Sequence, residues 1–125
     1  YGGSLYQDIA TQRADARGHV DADLYDQHSH AITFEPESRL AQLYAGQSGG
    51  IVTSIHHQAV DRLGADLQVE ARSVEDGIVE AIRARGAGFV AGVQWHPEFH
   101  AVNPGLLSGE PLMDGFLAAA AAARG

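Results

Sequence analysis

The chain has 125 residues and a mass of 13.2 kDa, 45% of it hydrophobic, with 8 basic against 16 acidic side chains for a formal net charge of −8. That is enough for one domain with a buried core, and acidic residues scattered from Asp8 to Asp114 make phosphate backbones and anionic membranes poor partners. No apolar run approaches the ~20 residues that span a bilayer and no signal-like region opens the sequence, so it reads as cytoplasmic, while zero cysteines exclude disulfides, thiolate metal sites and a cysteine nucleophile from these residues.

In chain order, Tyr1-Gly-Gly-Ser-Leu-Tyr-Gln-Asp-Ile9 has the look of a helix exit, because a glycine pair supplies the left-handed residue that stops a helix. The helix itself is then expected upstream of residue 1. From Ala10 to Asp26 charge is frequent and periodicity absent, which predicts a solvated, mobile connection. His30-Ala-Ile-Thr-Phe-Glu35 alternates and reads as a strand, and Leu40, Leu43 and Tyr44 follow at helical spacing behind a Ser38 N-cap. Ile51-Val-Thr-Ser-Ile55 is a second strand, delivering His56, His57 and Gln58 at its end.

Further on, Leu67, Val69 and Ala71 alternate with Gln68, Glu70 and Arg72, predicting a half-exposed strand. Glu75-Asp76-Gly77 is a tight turn that joins it in a hairpin to Ile78-Val-Glu-Ala-Ile82. Phe89-Val-Ala-Gly-Val93 is apolar throughout, as expected of a central strand covered on both faces. Pro111 stands near the start of a final helix with Leu112, Phe116, Leu117 and Ala120 as its inward stripe. There is no internal repeat.

The chemistry concentrates after the apolar run, at Gln94-Trp-His-Pro-Glu98. Pro97 cannot donate to a sheet ladder, so the strand must end here, and an extended backbone would put His96 and Glu98 on the same side at its rim. In open α/β sheets ligands collect at such strand ends. Glu98 can then accept from one nitrogen of His96, leaving the other as a base; this is the base and orienter of a nucleophile-His-acid triad without the nucleophile.

Four stretches in order, Gly2-Gly-Ser-Leu-Tyr-Gln-Asp-Ile9, Val52-Thr-Ser-Ile-His-His-Gln58, Asp76-Gly-Ile-Val-Glu-Ala81 and Gly92-Val-Gln-Trp-His-Pro-Glu98, resemble the class I glutamine amidotransferase superfamily. Within it they are most similar to the γ-glutamyl-γ-aminobutyrate hydrolase group, peptidase family C26. The resemblance implies a flavodoxin-like α/β fold of which residues 1–125 are the C-terminal part of one domain: strands, a β-hairpin and a final helix. It implies hydrolysis of a γ-glutamyl amide by a cysteine, with His96 as general base and acid and Glu98 orienting it. That cysteine, on a strand-to-helix turn, is expected just before Tyr1, so these residues alone are expected to be inactive. The resemblance further implies a pocket for the glutamyl group lined by the backbone of Ser54, Ile55 and His56. The family usually has Asn where Thr53 stands, which removes the ground for a side-chain role there. No cofactor and no metal are implied; the partner is a small-molecule γ-glutamyl substrate, and the acceptor amine and oligomeric state are not readable.

His57 and Gln58 are expected to tie neighbouring loops together, Asp76-Gly77 to serve the turn, and Gly2 and Gly3 to be structural. Three rival readings stand against the hydrolase. His28-Ser-His30 with Glu35 resembles the metal ligands of a cupin barrel, but the glycines that flank that motif are absent and an Ala-rich helix suits a barrel badly. A serine nucleophile at Ser4, Ser29 or Ser54 lacks the G-x-S-x-G elbow. A non-catalytic binding protein with a degenerate γ-glutamyl pocket is the third.

Overall fold

A computed structural model describes residues 1–15, 28–86 and 88–125. Among these, seven strands and three α-helices follow in the order β1 (Leu5–Tyr6), α1 (Ile9–Gln12), β2 (Ser29–Phe34), α2 (Arg39–Leu43), β3 (Gly49–Thr53), β4 (Ala59–Val60), β5 (Leu67–Ser73), β6 (Val79–Ala84), β7 (Ala91–Val93) and α3 (Glu110–Ala123). A five-stranded sheet has the order β3-β2-β5-β6-β7 with every pairing antiparallel, and β1 pairs with β4 in a separate two-stranded ribbon. The result is an α/β fold in which an antiparallel sheet is joined by a C-terminal helix.

The alternation in β2 buries Ile32 and Phe34, which form the main core with Leu40, Tyr44, Val52 and Trp95. Ser38 caps α2 as its sequence position requires, its Oγ accepting from the Ala41 N–H at 3.0 Å. Gly77 turns the β5–β6 hairpin at φ +71°, the left-handed conformation for which that position needs glycine.

Four expectations are corrected. First, β5 is not a half-exposed alternation. Register shifts between Val69 and Arg72 make a bulge, and both Glu70 and Ala71 are buried. Glu70 uses its burial to close the start of α2, accepting from the Leu40 N–H at 3.1 Å and the Arg39 N–H at 3.3 Å, groups that no helical carbonyl reaches. Second, the run from Phe89 yields only the three-residue β7, an edge strand on which Ala91 and Gly92 are exposed and beside which Val90 is 52% exposed. Among the described residues nothing pairs with its outer edge; an apolar run states a demand for cover, and these residues supply it on one side only.

Third, α3 turns Leu112 inward with Gly115, whose Cα lies so close to Leu43 that a methyl group there would stand 2.7 Å from Cδ2. Phe116 and Leu117 are about half exposed, and the rings of Phe116 and Phe89 meet edge-on at a centroid distance of 6.0 Å. The stripe of α3 is therefore narrower than its apolar composition suggests. Fourth, the connection expected from Ala10 opens with α1, capped by Asp8 accepting from the Ala10 N–H and closed by an Arg13–Asp15 ion pair at 2.7 Å. Its buried residue, Ile9, packs with Ala59 and Ile78 into a small second core. The remainder of that connection, from residue 16, lies outside the described residues. No described helix is long and apolar enough to cross a membrane.

Candidate functional site

The site is assembled where β7 stops. Gln94 still donates to the Glu80 carbonyl at 2.8 Å, extending the β6–β7 pairing by one bond, and Trp95 is then driven into the core at 3% exposure. Buried Trp95 sets where the next residue emerges. Pro97 opens a 3-10 turn over Pro97–Phe99, because its ring fixes φ at a helical value and its missing N–H is not needed at that position. Glu98 is thus carried back to His96 by the turn and not by the strand alternation expected from sequence; the pairing itself forms, with His96 Nδ1 2.8 Å from Glu98 Oε1. The imidazole is 42% exposed and the carboxylate 61%. Glu98's own backbone N–H, and after it the His96 ring, hold its carboxyl below the usual carboxylate range.

A carboxylate on Nδ1 makes that nitrogen the donor and leaves Nε2 to take a proton from, or return it to, a reacting group. The ring also lies 5.7 Å from that of Phe99, which limits its swing. Beneath it is a buried chain of hydrogen bonds that sequence reasoning missed. The His96 N–H donates to Thr53 Oγ1 at 3.3 Å, Thr53 Oγ1 is 3.1 Å from His100 Nε2, the Thr53 N–H donates to the same nitrogen at 3.2 Å, and His100 Nδ1 is 2.6 Å from the Leu107 carbonyl. A carbonyl only accepts, so His100 carries its hydrogen on Nδ1 and accepts at Nε2. The Thr53 hydroxyl must then donate to His100, which leaves its lone pairs for the His96 N–H. The directions close with the one lone pair of His100 Nε2 shared between the Thr53 N–H and hydroxyl, and Thr53 is fully buried. The only sequence signal for His100 was a histidine one helical turn after His96.

Ser54, Ile55 and His56 follow β3. Ser54 is fully buried with its N–H donated to the His28 carbonyl at 2.8 Å, and Ile55 is 8% exposed. The His56 ring turns inward, Nδ1 2.8 Å from the Gln58 carbonyl and Nε2 3.6 Å from Glu80. The side chains of this segment are thus committed to the interior. The His57 carbonyl accepts from the Ile9 N–H at 2.8 Å and Gln58 Nε2 donates to Gln7 at 3.1 Å, tying the segment to the first loop. The cupin-like trio does not assemble, since His30 lies against Glu80 at 3.1 Å while Glu35 takes Arg72 at 3.1 Å. Ser4 donates to Asp61, away from His96.

The chain is similar to known proteins. Residues 1–98 match the model described as Peptidase C26. Over 122 residues the chain is 34% identical to the gamma-glutamyl-gamma-aminobutyrate hydrolase PuuD of Escherichia coli K12, covering 94% of this chain and 47% of PuuD. Over 71 residues it is 49% identical to RP404 of Rickettsia prowazekii, named as glutamine amidotransferase-like, covering 57% of this chain and 25% of RP404. A crystal structure from Thermoplasma acidophilum, described as part of a GMP synthase, aligns with a TM-score of 0.67 at 15% identity, covering 98% of this chain and 51% of that one, a likeness of fold alone. The chain therefore spans about half the length of PuuD and of the solved structure, and a quarter of RP404. Because the family match covers residues 1–98, well over half of its length, the chain belongs to the peptidase C26 family.

Proposed function

We propose that the protein carrying these residues hydrolyses γ-glutamyl amides by a Cys-His-Glu triad to which this chain contributes His96 and Glu98. The observation that carries the reading is the 2.8 Å contact between His96 Nδ1 and Glu98, on a rim where Nε2 is left for a reacting group. PuuD, 34% identical over 122 residues, bears the name of a γ-glutamyl-γ-aminobutyrate hydrolase, and that similarity supports the γ-glutamyl class and the hydrolase group. The 125 residues contain no cysteine, so they do not hydrolyse by thiol chemistry alone. The cytoplasm, where thiols stay reduced, suits such a nucleophile.

In this reading His96 Nε2 takes the thiol proton while the sulfur attacks the γ-carbonyl carbon. The same proton is returned to the departing amine as the C–N bond breaks, and a thioester remains. His96 then takes a proton from water, whose oxygen attacks the thioester; the γ-carboxylate of glutamate leaves and the proton returns to sulfur. Glu98 keeps the imidazole in the tautomer that can do this and balances its charge when it holds two protons. The backbone of Ser54, Ile55 and His56 would receive the α-amino and α-carboxylate end of the substrate.

His96→Ala in the protein as its native gene encodes it tests the assignment. We expect turnover of γ-glutamyl amides to fall by on the order of 10²–10⁴-fold, with stability changed by no more than about 0.5 kcal/mol because the side chain is half exposed. Near-normal turnover in that variant would overturn the triad. The second reading, a non-catalytic γ-glutamyl-binding protein, is favoured by one observation, the absence of cysteine from this chain. Binding of a γ-glutamyl amide without turnover by the native protein would establish it.

A further inference from the structure

Glu80 is the second residue of β6 and its side chain is fully buried, and two imidazoles from distant parts of the chain converge on it. His30, on β2 and also fully buried, places Nε2 3.1 Å from Glu80 Oε1. His56, from the segment after β3 and with a side chain 9% exposed, places Nε2 3.6 Å from the same oxygen. The three ligand atoms lie within 4.8 Å of one another.

The far nitrogens say what these atoms present. His30 Nδ1 is 3.1 Å from the Ala31 carbonyl and His56 Nδ1 is 2.8 Å from the Gln58 carbonyl. Since a carbonyl accepts and never donates, each Nδ1 carries a hydrogen and each neutral ring directs its lone pair from Nε2 toward the carboxylate. Two nitrogen lone pairs and a carboxylate oxygen facing one another away from water repel, unless positive charge sits among them. A cation held by all three groups would supply such charge.

The spacing fits a cation. A tetrahedral centre with bonds of ~2.0–2.1 Å to imidazole nitrogen and carboxylate oxygen sets its ligand atoms ~3.3 Å apart, and the two measured separations, 3.1 and 3.6 Å, fall on either side of that value. Two imidazoles with a carboxylate are a donor set for zinc and its neighbours, and an Nδ1–H held by a backbone carbonyl is the outer contact that commonly orients a metal-bound histidine. We propose that His30, His56 and Glu80 bind one divalent transition metal, zinc by donor type, with the fourth position on the solvent side of His56. The inference departs from the sequence expectation of no metal. It does not rest on the hydrolase reading.

Its place in the fold indicates a brace. The ion would join β2, β6 and the segment after β3, below the Ser54–His56 backbone, while the Glu80 carbonyl holds Gln94 two residues before His96. No reacting atom is assigned to it. The test uses the native protein purified without chelator. Elemental analysis is expected to give one equivalent of zinc, or to reach it after titration with zinc alone, and cobalt(II) is expected to give the visible absorption of a tetrahedral site. Glu80→Gln and His30→Gln should lose stoichiometric binding and the cobalt spectrum, whereas His57→Gln, an exposed neighbour, should keep both. If Glu80→Gln or His30→Gln does not fold, His56→Gln at the rim takes its place, with circular dichroism as the check. Failure of the wild-type protein to bind zinc or cobalt overturns the proposal. So does metal binding that survives removal of Glu80 or His56. Metal content and spectrum are the readouts, so loss of hydrolase activity leaves this result unaffected.

Discussion

Thr53→Val removes one oxygen and keeps the shape of the side chain, and it tests whether the hydroxyl beneath His96 sets the position of the imidazole. In the wild type this oxygen accepts the His96 N–H at 3.3 Å and donates to His100 Nε2 at 3.1 Å, in a position with no exposure to solvent. Each such bond contributes about 1 kcal/mol net, and a donor left unmet in a part-buried site costs about 1–3 kcal/mol. His100 Nε2 still receives the Thr53 N–H, so only the His96 N–H is stranded. The sum is a loss of roughly 2 kcal/mol, which with a urea slope of about 2 kcal/mol per M lowers the unfolding midpoint by about 1 M. Relieving the stranded N–H by turning it to solvent shifts the imidazole relative to any reacting atom. A misplacement of ~1 Å can cost about 10²-fold, so kcat of the native protein should fall toward that amount with KM little changed. Thr53→Ser separates the hydroxyl from the methyl: it should keep kcat and lose only about 1 kcal/mol of packing. If Thr53→Val matches wild type in both midpoint and kcat, or if Thr53→Ser is as damaged as Thr53→Val, the hydroxyl does not position His96.

Tyr44, whose hydroxyl donates to the Ser108 carbonyl, has its ionisation pushed up to about 12 from 10.0, by burial first. A raised value means that the folded protein holds a proton the unfolded chain releases near pH 10, so the stabilisation present below pH 10 is lost as pH rises toward 12, by roughly 2 kcal/mol. Denaturation across that range should show the fall, and Tyr44→Phe should flatten it. Glu98 moves the other way: with its carboxyl below 4.5, the His96–Glu98 contact should persist as pH falls past 4.5 and be lost only as the carboxylate takes its proton at lower pH. Carbon-detected NMR titration of Glu98 reads this directly, and a midpoint at or above 4.5 would contradict it. Gly49 is set by close approach, since a methyl group there would stand 2.0 Å from the Ile32 carbonyl oxygen in the neighbouring strand. Gly49→Ala should cost about 3 kcal/mol or more by forcing β2 and β3 apart, measured as a drop in thermal midpoint.

Features set by neighbours in sequence were legible from the residues alone. The alternation of Ile32 and Phe34, the Ser38 cap and the Gly77 turn are local, and each forms as its residue types require. What failed were inferences about cover. Phe89–Val93 and the stripe of α3 have the composition of buried elements, but composition does not say whether the atoms that bury them lie among these residues. Glu70 failed for a different reason: a bulge shifts parity by one residue, and no periodicity in Leu67–Ser73 announces it.

The candidate site divides along the same line. His96 and Glu98 could be paired from sequence because only Pro97 stands between them, even though a turn and not a strand brings them together. Thr53, His100, His30 and Glu80 act through partners across the sheet, and a strand pattern cannot report which strands lie side by side. One trace was visible nonetheless. Glu80 interrupts the apolar segment Ile78–Ala81, in which Val79 and Ala81 are also buried, so both faces of β6 are covered and a carboxylate there needs positive charge brought to it. Seven histidines and no lysine leave imidazoles and arginines as the sources of that charge. The fold delivers two imidazoles to one oxygen, more than a single ion pair requires, and that surplus is the feature a bound metal explains.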